Sequence, residues 1–256
     1  MTTTTPIRTL HGTLDLPLVG LGTYGLRGDV GERALRSALD LGYRLLDTAT
    51  MYENEAEVGR AIAGRDDVLV TTKLHQGDAG REDEFLARSL DLLGVDAIDL
   101  WLIHWPPGGR ARADVWERFV AAQQRGQVRA IGVSNHSLAQ IDELSSATGV
   151  VPAVNQVKWG PALFDADLLR GHRERGIVLE GYSPFKATTL TDPVLTAIAG
   201  AHGVSAEQVV VRWHLQHGVV VIPKSSDPGR QASNLDVDGF ELGEDEVSAI
   251  DGLSRV

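Results

Sequence analysis

Asp47, Tyr52, Lys73 and His104 are the residue types from which a proton-donating site can be built, and they follow three consecutive apolar runs. The stretch G-Y-R-L-L-D-T-A-T-M-Y-E-N-E, Gly42 to Glu55, holds Asp47 and, five residues on, Tyr52; T-T-K ends at Lys73, and L-I-H-W-P carries His104. A free tyrosine, with a pKa near ~10, is a poor partner for proton transfer at neutral pH. A lysine cation beside the phenol oxygen is expected to favour the phenolate and lower that pKa, and an aspartate would hold the lysine charged and in place. His104 could hydrogen-bond the phenol or a substrate oxygen. Such a set suits polarising and protonating a carbonyl oxygen while something else delivers hydride. Singly, each residue has an ordinary explanation: a helix cap, a core ring, a satisfied histidine. Their succession at strand ends carries the argument, because a lysine there must be desolvated or paired.

Short β-rich runs position these groups. Strands are expected at Leu18–Leu21, Arg44–Leu46, Val68–Thr72, Ile98–Ile103, Val128–Val133, Ala153–Val157, Ile177–Tyr182 and Val219–Ile222. Amphipathic segments of helical length fill the gaps: Gly31–Leu41, Glu53–Ala63, Arg81–Leu93, Asp114–Arg125, Leu138–Ala147, Ala166–Glu174, Ser205–His217 and a short one from Gly229. Five of them run into a glycine, at 42, 64, 94, 126 and 176, as left-handed C-terminal caps prefer. Before the first strand, I-R-T-L-H-G-T-L-D-L reads as a hairpin turning at Gly12. Eight β/α units in 256 residues predict one α/β domain over 1–256, a closed (β/α)8 TIM barrel with an N-terminal hairpin, a much reduced C-terminal tail and disorder over 1–6. In such barrels the site lies where the strands end.

A net charge of -11 argues against nucleic acid or an anionic membrane as partner, and the absence of cysteine excludes disulfides, thiolate nucleophiles and Cys-based zinc sites. No basic-then-apolar leader opens the chain and no run approaches the roughly 18 apolar residues of a membrane span. A cytoplasmic monomer is the expectation. No metal is expected: His214 and His217, three apart on a helix, lack a third ligand nearby. The G-x-G-x-x-G of Gly20 to Gly25 invites a dinucleotide-fold reading, with Asp47 as the acidic residue, but that fingerprint needs a helix opening inside the glycine run. Gly20 and Gly22 are better read as places where backbone passes close to a neighbour or ligand. At the other end, Lys224 and Ser225 follow the last strand, with Arg230 and Asn234 on the short helix beyond. Two cations and a hydroxyl at a helix N-terminus suit a phosphate dianion.

In order along the chain, G-L-G-T, G-Y-R-x-x-D-T-A, Y-x-N-E-x-x-V-G, L-x-L-L-G-V-D-x-I-D-L-x-L-I-H-W-P, I-G-V-S-N, N-Q-V, Y-S-P and I-P-K-S resemble the aldo-keto reductases, NAD(P)H-dependent carbonyl reductases built on a (β/α)8 barrel. The likeness runs from about Leu10 to Leu253. It implies that Asp47, Tyr52, Lys73 and His104 form the catalytic tetrad, with Tyr52 as general acid in reduction. It further implies that Gly22, Thr23 and Asp47 touch cofactor, that Ser134, Asn135 and Gln156 hold the nicotinamide carboxamide, and that Trp159 stacks on the nicotinamide. Ser183 and Phe185 would meet the pyrophosphate, and Lys224, Ser225, Arg230 and Asn234 the adenosine end, which makes NADPH the cofactor. The substrate implied is a small aldehyde or ketone.

Departures from the family pattern fall around the substrate: Tyr24 and His75 stand where tryptophans are frequent, Gly160 replaces a common histidine, and Trp105 completes the expected pocket. Leu45 replaces a frequent histidine before Asp47, and Ser233 a glutamate near the adenine. With a short loop after His104 and almost no tail, a shallow, open site with relaxed specificity is expected. Two other readings stay open: a non-catalytic NADPH-binding regulatory protein on the same barrel, and a Schiff-base aldolase using Lys73 or Lys158, which explains neither Tyr52 nor the cations at 224 and 230.

Overall fold

The computed structural model describes residues 7–10 and 14–254, with Ile7 and Arg8 as backbone only. Strands β1 (Ile7–Leu10) and β2 (Leu14–Pro17) pair antiparallel, Leu10 opposite Leu14, as the expected hairpin. Its turn at Gly12 and residues 1–6 lie outside the described residues. Eight parallel strands follow in sequence order: β3 (Leu21–Gly22), β4 (Leu45–Asp47), β5 (Leu69–Leu74), β6 (Ile98–Ile103), β7 (Val128–Ser134), β8 (Val154–Lys158), β9 (Val178–Tyr182) and β10 (Val220–Ile222). The ring closes where Val19 bridges Val221, through Gly20 N–H to the Val221 carbonyl at 2.9 Å and Val221 N–H to that of Leu18 at 2.8 Å. A dinucleotide fold is thereby excluded. A Cβ on Gly20 would lie 2.8 Å from the Leu45 side chain, and one on Gly22 2.9 Å from the Ile222 carbonyl, so both glycines serve close approach.

Helices cover the outside: α1 (Gly28–Leu41), α2 (Glu55–Ile62), α3 (Glu82–Leu93), α4 (Ala113–Gln124), α5 (Leu138–Thr148), α6 (Ala166–Glu174), α7 (Pro193–His202), α8 (Ala206–Gln216), α9 (Pro228–Leu235) and α10 (Glu244–Asp251). All six residues of β6 are buried, as expected of a parallel strand with side chains in the barrel on one face and helices on the other. Capping boxes start α5 (Ser137, Gln140) and α8 (Ser205, Gln208), and all five predicted terminal glycines have positive φ. α1 begins three residues earlier than the sequence suggests, because Glu57 of α2 accepts the Gly28 N–H at 2.9 Å. α7 and α10 are additional to the predicted elements. They pack with Trp159, Leu179, Trp213 and Val219 in a second cluster outside β8–β10. Among the described residues no single helix is long and apolar enough to cross a membrane.

Candidate active site

Asp47 ends β4, and Lys73 lies on β5, one strand along. Lys73 is fully buried; its ammonium donates to Asp47 Oδ1 at 2.6 Å and to the Thr48 carbonyl at 2.8 Å. Burial alone would strip its proton, but the Asp47 carboxylate reverses that and holds Lys73 charged, above its ordinary range. The tyrosine reaches this pair on a single 3-10 turn, Thr50–Tyr52, anchored from three sides. Thr50 Oγ1 donates to the Lys73 carbonyl, Arg27 Nε donates to the Tyr52 carbonyl at 2.7 Å, and buried Asn54 makes three bonds. Asn54 Oδ1 accepts from Thr48, while its Nδ2 donates to the carbonyls of Thr23 and Leu26. The loops after β3 and β4 are thus tied together under the phenol.

Lys73 Nζ sits 5.1 Å from the centroid of the Tyr52 ring, whose other neighbours are edge-on: Tyr24 at 5.1 Å and His104 at 5.8 Å between centroids. Burial raises the Tyr52 pKa; Lys73 pulls it down as expected, but by less. The expected net lowering is therefore corrected: desolvation of the phenolate outweighs the Lys73 charge. His104 is driven the other way, down to about 3, by burial first and then by the positive charge of Lys73 and by His75. It is a neutral imidazole at any ordinary pH, with Nδ1 buried and unpartnered.

A groove of 430 Å³ opens above these residues, lined by Gly22, Thr23, Tyr24, Asp47, Met51, Tyr52, His104, Trp105, the run Tyr182–Lys186, Ile222 and Lys224. A second cavity of 470 Å³ shares Phe185 and Lys224 with it and continues past Ser225, Arg230, Ser233 and Asn234. Neither Lys224 nor Arg230 has an ion-pair partner among the described residues. All four lysines of the chain, Lys73, Lys158, Lys186 and Lys224, lie on or just past C-terminal strand ends, and all but Lys73 are exposed. Among the described residues three non-glycine residues have positive φ, Glu53, Asn135 and Ser183, and all three flank the site.

Beneath the groove lies a polar layer. Ser134 Oγ donates to the Gln156 carbonyl and accepts from Asn135 Nδ2, which also donates to the His104 carbonyl; Tyr182 donates its hydroxyl proton to Asn135 Oδ1 at 3.0 Å. Gln156 Nε2 donates to Asp47 Oδ2 at 2.7 Å and to Glu180 Oε1 at 3.0 Å. Both amide protons are thereby spent, and only the side-chain Oε1 of Gln156 is left to accept a hydrogen bond.

Two predicted contacts are corrected. Trp159 is 1% exposed and packed against Phe164 and Trp213 in the outer cluster, away from the groove, so the ring available for stacking is that of Tyr182. His75 turns away to cap the Gln76–Asp78 turn, its Nδ1 accepting the Gly77 N–H, and does not line the groove. The helix-terminus argument for a phosphate also weakens: Asp227 Oδ1 already accepts the Arg230 N–H of α9, which leaves the side chains of Lys224 and Arg230 to carry it. His214 is buried and bonded to the Val210 carbonyl, His217 pairs with Asp251, and no group of three or more potential metal ligands occurs among the described residues. Met51, Lys186 and Glu180 are site residues that no motif contains, and Tyr182 and Asn54 stand inside Y-S-P and Y-x-N-E-x-x-V-G without the hydrogen bonds they make here being foreseen.

An eight-stranded parallel barrel with a buried Lys–Asp pair under a tyrosine at its mouth defines a class, and comparison with known proteins agrees: the chain belongs to the aldo/keto reductase family, matching it over residues 19–255. It is 48% identical to 2,5-diketo-D-gluconic acid reductase B of Corynebacterium sp. (strain SHS752001), covering 92% of this chain and 88% of that protein. Identity to morphine 6-dehydrogenase of Pseudomonas putida is 41%, over 97% and 91% of the two chains. A crystal structure of a Gox0644 variant in complex with NADPH superposes with a TM-score of 0.91 at 36% identity, covering 98% of this chain and 94% of that one.

Proposed function

We propose that this oxidoreductase reduces small aldehydes and ketones to alcohols with NADPH, Tyr52 donating the proton, and that it accepts a broad range of carbonyls as a cytoplasmic monomer. The observation that carries the reading is the fully buried Lys73–Asp47 pair set against the Tyr52 ring at the floor of a solvent-facing groove. The groove fits the cofactor: Thr23 Oγ1 on its wall is buried without a partner. Tyr182 supplies a ring for the nicotinamide, the Gln156 oxygen and Ser134–Asn135 its carboxamide, Ser183–Lys186 the pyrophosphate, and Lys224, Ser225 and Arg230 the 2′-phosphate. When bound, NADPH supplies hydride to the carbonyl carbon.

The protein's own residues manage the proton. Neutral His104 donates a hydrogen bond that orients the carbonyl oxygen, and Tyr52 gives its hydroxyl proton to that oxygen as negative charge develops there. Lys73, kept charged by Asp47, stabilises the phenolate left behind. Relaxed specificity is supported by the rim, where Tyr24, Met51 and Trp105 are 64, 45 and 42% exposed and offer apolar surface without enclosing a ligand.

The test is loss of NADPH absorbance with a panel of small carbonyls, comparing wild type with Tyr52→Phe and running NADH alongside. The expected result is turnover that falls by roughly 10²–10⁴ in the variant while NADPH binding survives. Tight NADPH binding with no turnover on any carbonyl would replace this reading with a regulatory one.

A further inference from the structure

One ionisable side chain in the barrel interior has no place in the proton chemistry above. Glu180, in the middle of β9, is fully buried beside Gln156 of β8. Its Oε1 accepts from Gln156 Nε2, whose other proton goes to Asp47 Oδ2, and its Oε2 is buried with no partner. Two carboxyls therefore share one amide next to a single cation, Lys73. The Lys73–Asp47 contact at 2.6 Å already balances that cation. An ionised Glu180 would be a second, uncompensated negative charge in the barrel, with one oxygen unsolvated.

We infer that Glu180 is a positioning residue, held as a neutral carboxylic acid at neutral pH, that locks the Gln156 amide and, on ionising in alkali, raises the pH at which Tyr52 forms its phenolate. The proposal rests on the reading of Tyr52 as the proton donor. Burial and then the Asp47 carboxylate push the Glu180 pKa up to about 8, consistent with a proton kept at pH 7 and released in alkali. The charged groups acting on Glu180 from inside the barrel are Asp47 of β4 and Lys73 of β5, and the same Lys73 is the cation that acts on Tyr52. On the opposite face of β8–β9, His214 of α8 abuts Gly181 and His172 of α6 bonds Asn155; burial lowers the pKa of both and keeps them neutral.

The sign follows from charge alone. A carboxylate at 180 repels a phenolate at 52, so an ionised Glu180 keeps Tyr52 protonated to higher pH and favours reduction over alcohol oxidation in alkali. Locking works at all pH values: with Glu180 bonded to one amide proton and Asp47 to the other, the Gln156 side chain is held in one orientation.

Two measurements, neither requiring turnover, test this on the full-length protein. Infrared difference spectra of wild type between about pH 7 and pH 10 should show loss of a protonated-carboxyl band that is absent in Glu180→Gln. Tyrosinate absorbance against pH, wild type minus Tyr52→Phe, should place Tyr52 ionisation about one pH unit higher than the same difference taken in the Glu180→Gln background. The chain has four tyrosines, so the subtraction isolates one chromophore in four. Absence of the carboxyl band in wild type means that Glu180 is ionised and overturns the proposal; so does an unmoved tyrosinate titration. If Glu180→Gln does not fold, the wild-type infrared titration decides alone. With an active enzyme, the alkaline limb of alcohol oxidation should shift by the same unit. Absence of turnover despite both spectroscopic shifts would count against the reductase reading and leave Glu180's role standing.

Discussion

The position of His104 makes a quantitative prediction about which residue donates the proton. Its ring is buried near the Lys73 charge, and its pKa falls to about 3 from an ordinary value near 6.5. At pH 6.5 an ordinary histidine is half protonated, whereas His104 would carry a second proton in about one molecule in three thousand. A histidine donor with an ordinary pKa would lose rate tenfold per pH unit above about 6.5, roughly a hundredfold by pH 8.5. Tyr52, its pKa raised by burial, stays fully protonated across that range and predicts a flat rate. The assay is single-turnover reduction of a small aldehyde between about pH 5.5 and 8.5, so that product release does not mask the chemical step. The expected outcome is variation of no more than about twofold in wild type. A fall of tenfold per pH unit beginning near 6.5, and abolished in His104→Gln, would refute the assignment of Tyr52 and the description of His104 as a neutral orienting group.

Asn54→Ala should destabilise the fold by about 3–5 kcal/mol in urea unfolding, because three buried hydrogen bonds go and the carbonyls of Thr23 and Leu26 lose a donor. A loss under about 1 kcal/mol would show that the loops hold Tyr52 without it. Acid should destabilise through buried histidines: His136 and His214 have pKa values lowered to about 4, chiefly by burial, so between about 4 and 6.5 the folded chain binds fewer protons than the unfolded one. Stability is then complete above about pH 6.5 and declines as pH falls towards 4, by about 3 kcal/mol for each histidine. Urea midpoints that stay constant from about pH 7 to pH 4.5 would contradict this.

Much of the barrel is legible because each strand is a short β-rich run with polar residues just beyond it; Ile98–Ile103 and Ala166–Glu174 match the observed elements residue for residue. α7 is hidden because V-L-T-A-I-A-G-A is apolar and small-residue-rich all round, with little polar contrast for periodicity to register. Its Asp192 cap and Pro193 at the first turn were the usable signals. α10 is announced only by three acids in its first turn. The error at Trp159 is one of strand parity. Gln156 faces into the barrel, so on β8 residue 159 falls on the opposite face, while on β9 Glu180 and Tyr182 share the inward one. The same count, applied to V-L-E-G-Y, would have found both the stacking ring and the buried carboxyl. His75 has the right parity, but the chain leaves the sheet at Leu74 and bends into a 3-10 turn there.

The placement of the lysines has a practical side. With Lys73 sealed in the barrel, the side-chain amines open to a reagent are those of Lys158, Lys186 and Lys224, all at one end of the molecule; arginine supplies the remaining 20 of the 24 basic side chains. Apart from the α-amino group, amine-directed crosslinkers, activated supports and fluorophores therefore attach only at this end, and at Lys186 and Lys224 on the groove itself. Immobilised by such chemistry, the barrel would be oriented with its mouth against the matrix. A reactive aldehyde offered as substrate would likewise meet the protein's exposed lysines at the place where it enters.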